Sequence, residues 1–169
     1  MELTKKERLI LSNQFKILEK LYPEEADFYS VQREAIEEGF ALHYDDAVKL
    51  FAEEMTNEEC KEVIDILDMF RALHYSYENL DSEEKDEIDE YKIEFHGFDG
   101  NNETKQMAYT EYFINKLDRF EELRDNSEFP DYNSHSRVLS EYRRMYNKWS
   151  EFDNKRNLTK EEIEYIIEH

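Results

Sequence analysis

Turn-forming and cross-linking residues are scarce in this chain, which has three glycines, two prolines and one cysteine among 169 residues. A β-sandwich or barrel reverses direction every few residues and draws heavily on Gly and Pro, so that class is excluded. A lone Cys60 closes no intrachain disulfide, and the start MELTKKERLI lacks the apolar core of a secretory signal. The expected compartment is therefore the cytoplasm. No run of about 18 apolar residues occurs, so neither a spanning helix nor an anchor of that type is expected. Positive charge is also in deficit. With 22 Lys and Arg against 43 Asp and Glu, the net charge is −21, which repels phosphates at long range and disfavours nucleic acid as a partner. Such acidity fits a solvated surface, and it leaves open docking to a basic protein partner.

What the chain has instead is an abundance of Glu, Lys, Leu, Tyr and Phe, a balance suited to helices joined by short connections. A chain of this length can bury roughly 70% of the surface its unfolded form exposes. The expectation is one mainly α, multi-helix domain over 1–169, with six or seven helices and room for one short extended segment. Three stretches, Thr4-Lys5-Lys6-Glu7, Thr56-Asn57-Glu58-Glu59 and Thr159-Lys160-Glu161-Glu162, have the spacing of a capping box and place helix starts. Leu11, Phe15, Leu18 and Tyr22 continue the first helix up to Pro23, and a second runs from about Glu24 to Glu38, ending at Gly39. FALHY, opening the segment from Phe40 to Glu54, reads as a candidate extended piece. The central helix runs to about Asn79 with Cys60, Val63, Ile64, Leu67, Phe70, His74 and Tyr77 along one stripe. DSEEKDEIDEYKIE, with eight acids and two bases, reads as exposed, and YKIEF as a short strand. Further helices are expected through Met107–Leu117 and from about Ser136 to Phe152, separated by a connection around Pro130 long enough for a lid or a loose loop.

The motifs RLILSNQ (Arg8 to Gln14), IDILDMFRALHYS (Ile64 to Ser76), GFD with Glu103 (Gly97 to Asp99) and YRRMYNKW (Tyr142 to Trp149) together resemble the YfbU-like bacterial family. The resemblance covers nearly the whole chain and departs from the family pattern in the denser acidic stretch from Asp81 to Glu90. It implies a helical domain with no catalytic residues to carry over. Some members join the domain to a helix-turn-helix segment, which implies by association a role in sensing a small molecule.

No motif of known chemistry stands out, and the sequence assigns no catalytic residue, metal or cofactor. FHGFDGNNE, Phe95 to Glu103, supplies no complete EF-hand register, no GxGxxG and no P-loop. Two readings remain for it. Its glycines, with Asp99, Asn101 or Asn102, form a turn that caps the next helix while Glu103 complements the dipole, or the helix start beside His96, Asp99 and Glu103 holds a ligand. His74 reads as a hydrogen-bonded core histidine, and Cys60 as a small core residue. Gln14, one turn from Leu11 and Leu18, is expected to face inward as a tie between helices or as pocket lining. A second ligand group is therefore Asn13, Gln14, His74 and Tyr77. Residues 133–160 hold seven bases and three acids, with Arg137, Arg143, Arg144 and Lys148 interleaving Tyr142, Tyr146 and Trp149. Core aromatics with arginines paired to the protein's own glutamates, or a subunit contact, are favoured there over base stacking. The leading expectation is a non-enzymatic small-molecule-binding or regulatory domain that forms a homo-oligomer. An interaction module docking a basic partner, or an enzyme using His74 or His96 with carboxylates, are the alternatives.

Overall fold

Four helix starts in the computed structural model, which describes residues 1–49, 51–124 and 131–168, are set by side-chain caps. Among the described residues eight α-helices run in order: α1 (Lys5–Leu21), α2 (Ala26–Glu38), α3 (Asn57–Glu78), α4 (Ser82–Glu87), α5 (Glu90–Ile93), α6 (Thr104–Glu111), α7 (Leu139–Ser150) and α8 (Lys160–Ile167). Thr4, Thr56 and Thr159 accept from the amides of Glu7, Glu59 and Glu162, and each glutamate accepts from the cap's own amide, so all three boxes form. The same device recurs at Asp81 and Glu84, where it starts α4. The chain divides into two compact units, Met1–Glu54 and Met55–His169.

In the first unit α1 and α2 are antiparallel neighbours joined by a 3₁₀ turn at Pro23–Glu25. Phe15, Ile36 and Tyr44 form its core, with Leu11 and Leu18 packed against them. Arg8 closes the far end of α2, donating to the carbonyls of Ile36 (2.7 Å) and Glu37 (2.6 Å), which lack helical partners there. Gly39 follows with φ +82 as the left-handed cap. FALHY is not extended, because Ala41–Val48 is a 3₁₀ helix with Tyr44 turned into the core. Gln14 does not face inward either. It and Asn13 are exposed, because α1 commits the flank carrying Ser12 and Phe15 to α2.

In the second unit α3 is the central element, packed by α6, α7 and α8. Its buried surface is broader than one stripe, taking in Val63, Ile66, Leu67, Met69, Phe70, Ala72, Leu73 and Ser76, while Cys60, Ile64, His74 and Tyr77 are only partly covered. The acidic stretch is more ordered than its charge suggests. α4 and α5 form there, and Ile88 and Ile93 are buried. YKIEF is therefore not a strand: Tyr91, Lys92 and Ile93 belong to α5, and Glu94 is its C-cap. The one isolated β-bridge among the described residues joins Phe98 to Asn133. α6 passes into a π-helical turn at Tyr112–Lys116, and the long connection around Pro130 lies outside the described residues.

Candidate functional site

Spacing on α3 assembles the site. Asp68, Arg71, Ala72 and Tyr75 recur at three- and four-residue intervals, so they share one helix flank. With Trp149 at the end of α7, and Lys155 and Arg156 from the following connection, they line a cavity of about 530 Å³. That connection is fixed at two points. Trp149 Nε1–H donates to the Lys155 carbonyl at 2.9 Å, and the Leu158 amide donates to Ser76 Oγ of α3 at 2.9 Å. Lys155 Nζ lies over the Trp149 ring, 5.4 Å from its centroid.

Arg71 is held from the opposite side. Its guanidinium stacks on Phe120 at 3.8 Å and pairs with Glu122, a double contact suited to the planar guanidinium. Phe120 takes the left-handed conformation, φ 53 and ψ 47, which a bulky residue adopts only where its surroundings enforce it. Burial alone would raise the Glu122 pKa, but the Arg71 hydrogen bond, the hydrogen bond from its own backbone amide and the Arg71 charge outweigh it, and the carboxyl stays below its usual range. Partial burial pushes Asp68 upward, Asp65 adds to this, and Arg71 and Arg156 oppose it. Arg156 makes no ion pair among the described residues. The arrangement therefore offers three cations and two aromatic rings to one hollow, with a single carboxylate inside it. These groups can bind an anion carrying a planar portion.

The residues singled out from sequence lie elsewhere. Asn13 and Gln14 belong to Met1–Glu54, and His74 and Tyr77 to Met55–His169. His74 is half-buried against Tyr75, with ring centroids 5.2 Å apart, and makes no side-chain hydrogen bond among the described residues. Tyr77 turns towards Lys85, 5.5 Å away over its ring. His96 lies against Tyr91 at 4.1 Å, and its amide donates to the Tyr142 hydroxyl.

Asp99 and Glu103 are buried, 3% and 7% exposed, and both are occupied. Glu103 accepts from the amides of Asp99 (3.0 Å), Val138 (3.3 Å) and Leu139 (2.9 Å), so it satisfies the start of α7 rather than that of α6, where no side-chain cap forms. Asp99 accepts from the Asn101 amide and the Asn102 side chain, which hold its carboxyl below the usual range. Asn133 Oδ1 accepts from the Gly100 amide at 3.0 Å and the His135 amide at 3.0 Å. FHGFDGNNE is thus a turn tied to residues 132–139. Gly97 is required there by its φ of +83 and because a Cβ would lie 1.9 Å from the Tyr132 carbonyl oxygen.

In the basic stretch, Tyr142 and Trp149 are buried. Arg143 forms a two-pronged pair with Glu62 (2.7 and 2.8 Å), and Lys160 pairs with Glu87. Among the described residues no group of three or more His, Cys, Asp or Glu is placed to hold a metal ion, and no helix is long and apolar enough to cross a membrane. The pocket leaves only a faint trace in the sequence: Asp68, Arg71 and Tyr75 share a flank of α3 by their spacing, whereas Lys155 and Arg156, following Trp149, reach it only through the folded connection.

The architecture is that of an all-α protein whose candidate site is a pocket on its longest helix rather than a set of catalytic groups. The chain belongs to the YfbU domain family, whose sequence profile it matches over residues 1–169.

Proposed function

We propose that the unit Met55–His169 is a small-molecule-binding module. Its ligand is an anion, such as a carboxylate or phosphate ester, joined to a planar ring. The observation that carries this reading is the convergence of Arg71, Lys155 and Arg156 on a cavity walled by Tyr75 and Trp149, in a chain of net charge −21. Cations placed against that overall field and left partly unpaired favour a negatively charged occupant. Tyr75 and Trp149 supply faces for a planar group. Binding and not turnover is the proposed role. None of the pocket's groups forms a nucleophile and base pair of the kind covalent catalysis uses.

The test is isothermal titration with adenosine 5′-monophosphate and benzoate as probes, against the full chain and the Arg156→Ala and Lys155→Ala variants. At least one probe is expected to bind, with each variant weakening it about 5- to 20-fold, the worth of one charge-assisted contact. Absence of heat with both probes and with a broader set of ring-bearing anions would refute the reading. Unchanged affinity in both variants would move the site elsewhere.

A further inference from the structure

The hairpin of Met1–Glu54 has two outer flanks that its own packing does not use. On α1, Leu9, Ile10, Ile17 and Leu21 are 62, 49, 52 and 65% exposed. Their spacing sets them on the side of the helix away from Phe15. Lys6 and Lys20 fall on the same side and make no ion pair among the described residues, whereas Lys16 is engaged by Glu37 at 2.9 Å. On α2, Phe28 and Val31 are 54 and 64% exposed. Glu24, Asp27, Glu34 and Glu38 share their flank by the same periodicity, and none is paired among the described residues. Beside Val31 a hollow of about 200 Å³, walled by Ala35, Phe40 and His43, has room for a large aliphatic side chain.

One flank is apolar and edged by free lysines; the other is apolar and edged by free carboxylates. We infer that the α1 flank of one molecule docks on the α2 flank of a second copy. Like-on-like contacts are opposed, since α1 on α1 brings lysines together and α2 on α2 faces carboxylates with carboxylates. A chain carrying −21 repels its own copies unless the contact is locally complementary, and this is the pairing within Met1–Glu54 that supplies such complementarity. Both halves are present on every molecule in equal number, so no second gene product is needed. The contact is head-to-tail, which closes as a ring or continues as a helical array. One helix flank on each side makes a small interface, so assembly grows with protein concentration and recedes as salt screens the charges.

Sedimentation velocity of the full chain at low salt tests this. The expected result is species larger than monomer that increase with concentration and dissociate on adding sodium chloride. Ile17→Glu and Phe28→Lys, both at exposed positions, should each give monomer while circular dichroism stays native. Mixed in equal amounts they should associate again, because Ile17→Glu keeps the α2 flank and Phe28→Lys keeps the α1 flank. A wild-type chain that stays monomeric throughout, an assembly indifferent to both changes, one variant that still self-associates, or a mixture that stays monomeric would each overturn the inference.

Discussion

At the scale of the residue, the positions under tightest constraint are those where backbone meets backbone. Gly97 combines a φ of +83 with a virtual Cβ 1.9 Å from Tyr132, and it permits the bridge in which the Phe98 amide donates to the Tyr132 carbonyl at 2.8 Å. Gly97→Ala is expected to cost about 3 kcal/mol or more, since neither strain nor clash can relax without breaking that bridge. Chemical denaturation measures it, and a loss below about 1 kcal/mol would show that the 95–103 turn is not tied as described. Asp68 is constrained by charge instead. Inside the proposed anion pocket it is the one carboxylate, with Arg71 and Arg156 acting on it. Removing its charge without changing its shape, by Asp68→Asn, is expected to tighten binding of the anionic probe about 3- to 10-fold, the worth of one relieved like-charge contact near a surface. Weakened binding in the same titration would instead assign Asp68 the role of acceptor for a donor on the ligand.

At the scale of the element, Glu37 shows how one side chain couples two helices. It accepts from Ser12 (2.6 Å) and pairs with Lys16 on α1 (2.9 Å) and with Arg33 on α2 (3.0 Å). The Ser12 hydrogen bond first, then Lys16 and Arg33, pull its pKa down from 4.5 to about 2. A carboxyl depressed in the folded state stabilises fully above its unfolded pKa and loses that contribution as pH falls through the folded value. Glu37→Gln is therefore expected to melt below wild type at neutral pH, with the gap closing between pH 4.5 and about 2. A gap constant across that window would remove Glu37 from the hairpin's pH dependence. Such couplings were partly legible in the sequence. Capping boxes announced α1, α3 and α8 because their chemistry is local, and Gly39 announced the end of α2 for the same reason. The fourth box, Asp81 to Glu84, went unread because its charge density suggested solvent, although Ile88 and Ile93 pin the segment to the core. The inward expectation for Gln14 failed on a different point. α1 carries apolar residues on two flanks, and periodicity alone does not say which one α2 covers. By position Glu103 should serve its own helix, whereas it serves α7, 36 residues on, a partner visible only once the chain is folded.

At the scale of the whole molecule, two electrostatic effects of opposite sign compete. The excess of 43 acids over 22 bases sets up self-repulsion that favours the unfolded, more extended chain. Against it stand local pairs such as Arg143 with Glu62, Arg33 with Glu19, and Lys160 with Glu87. All of these lie at partly exposed positions, where a pair contributes about 1 kcal/mol or less. Repulsion sums over many charges and reaches across the molecule when the Debye length is about 30 Å, at roughly 0.01 M salt, and it is largely confined when that length is about 8 Å, at roughly 0.15 M. Global repulsion should therefore be the larger salt-sensitive term. Residues 55–169 carry the greater share of it, because 1–54 hold seven of the bases against thirteen of the acids. Salt should also weaken any assembly through α1 and α2, so the measurement belongs on the Ile17→Glu chain, which lacks that contact. Its melting temperature, followed by calorimetry, is expected to rise by several degrees between those two salt concentrations. A fall would mean that the short-range pairs outweigh the net charge, and that this acidic fold is held together by its ion pairs in spite of their exposure.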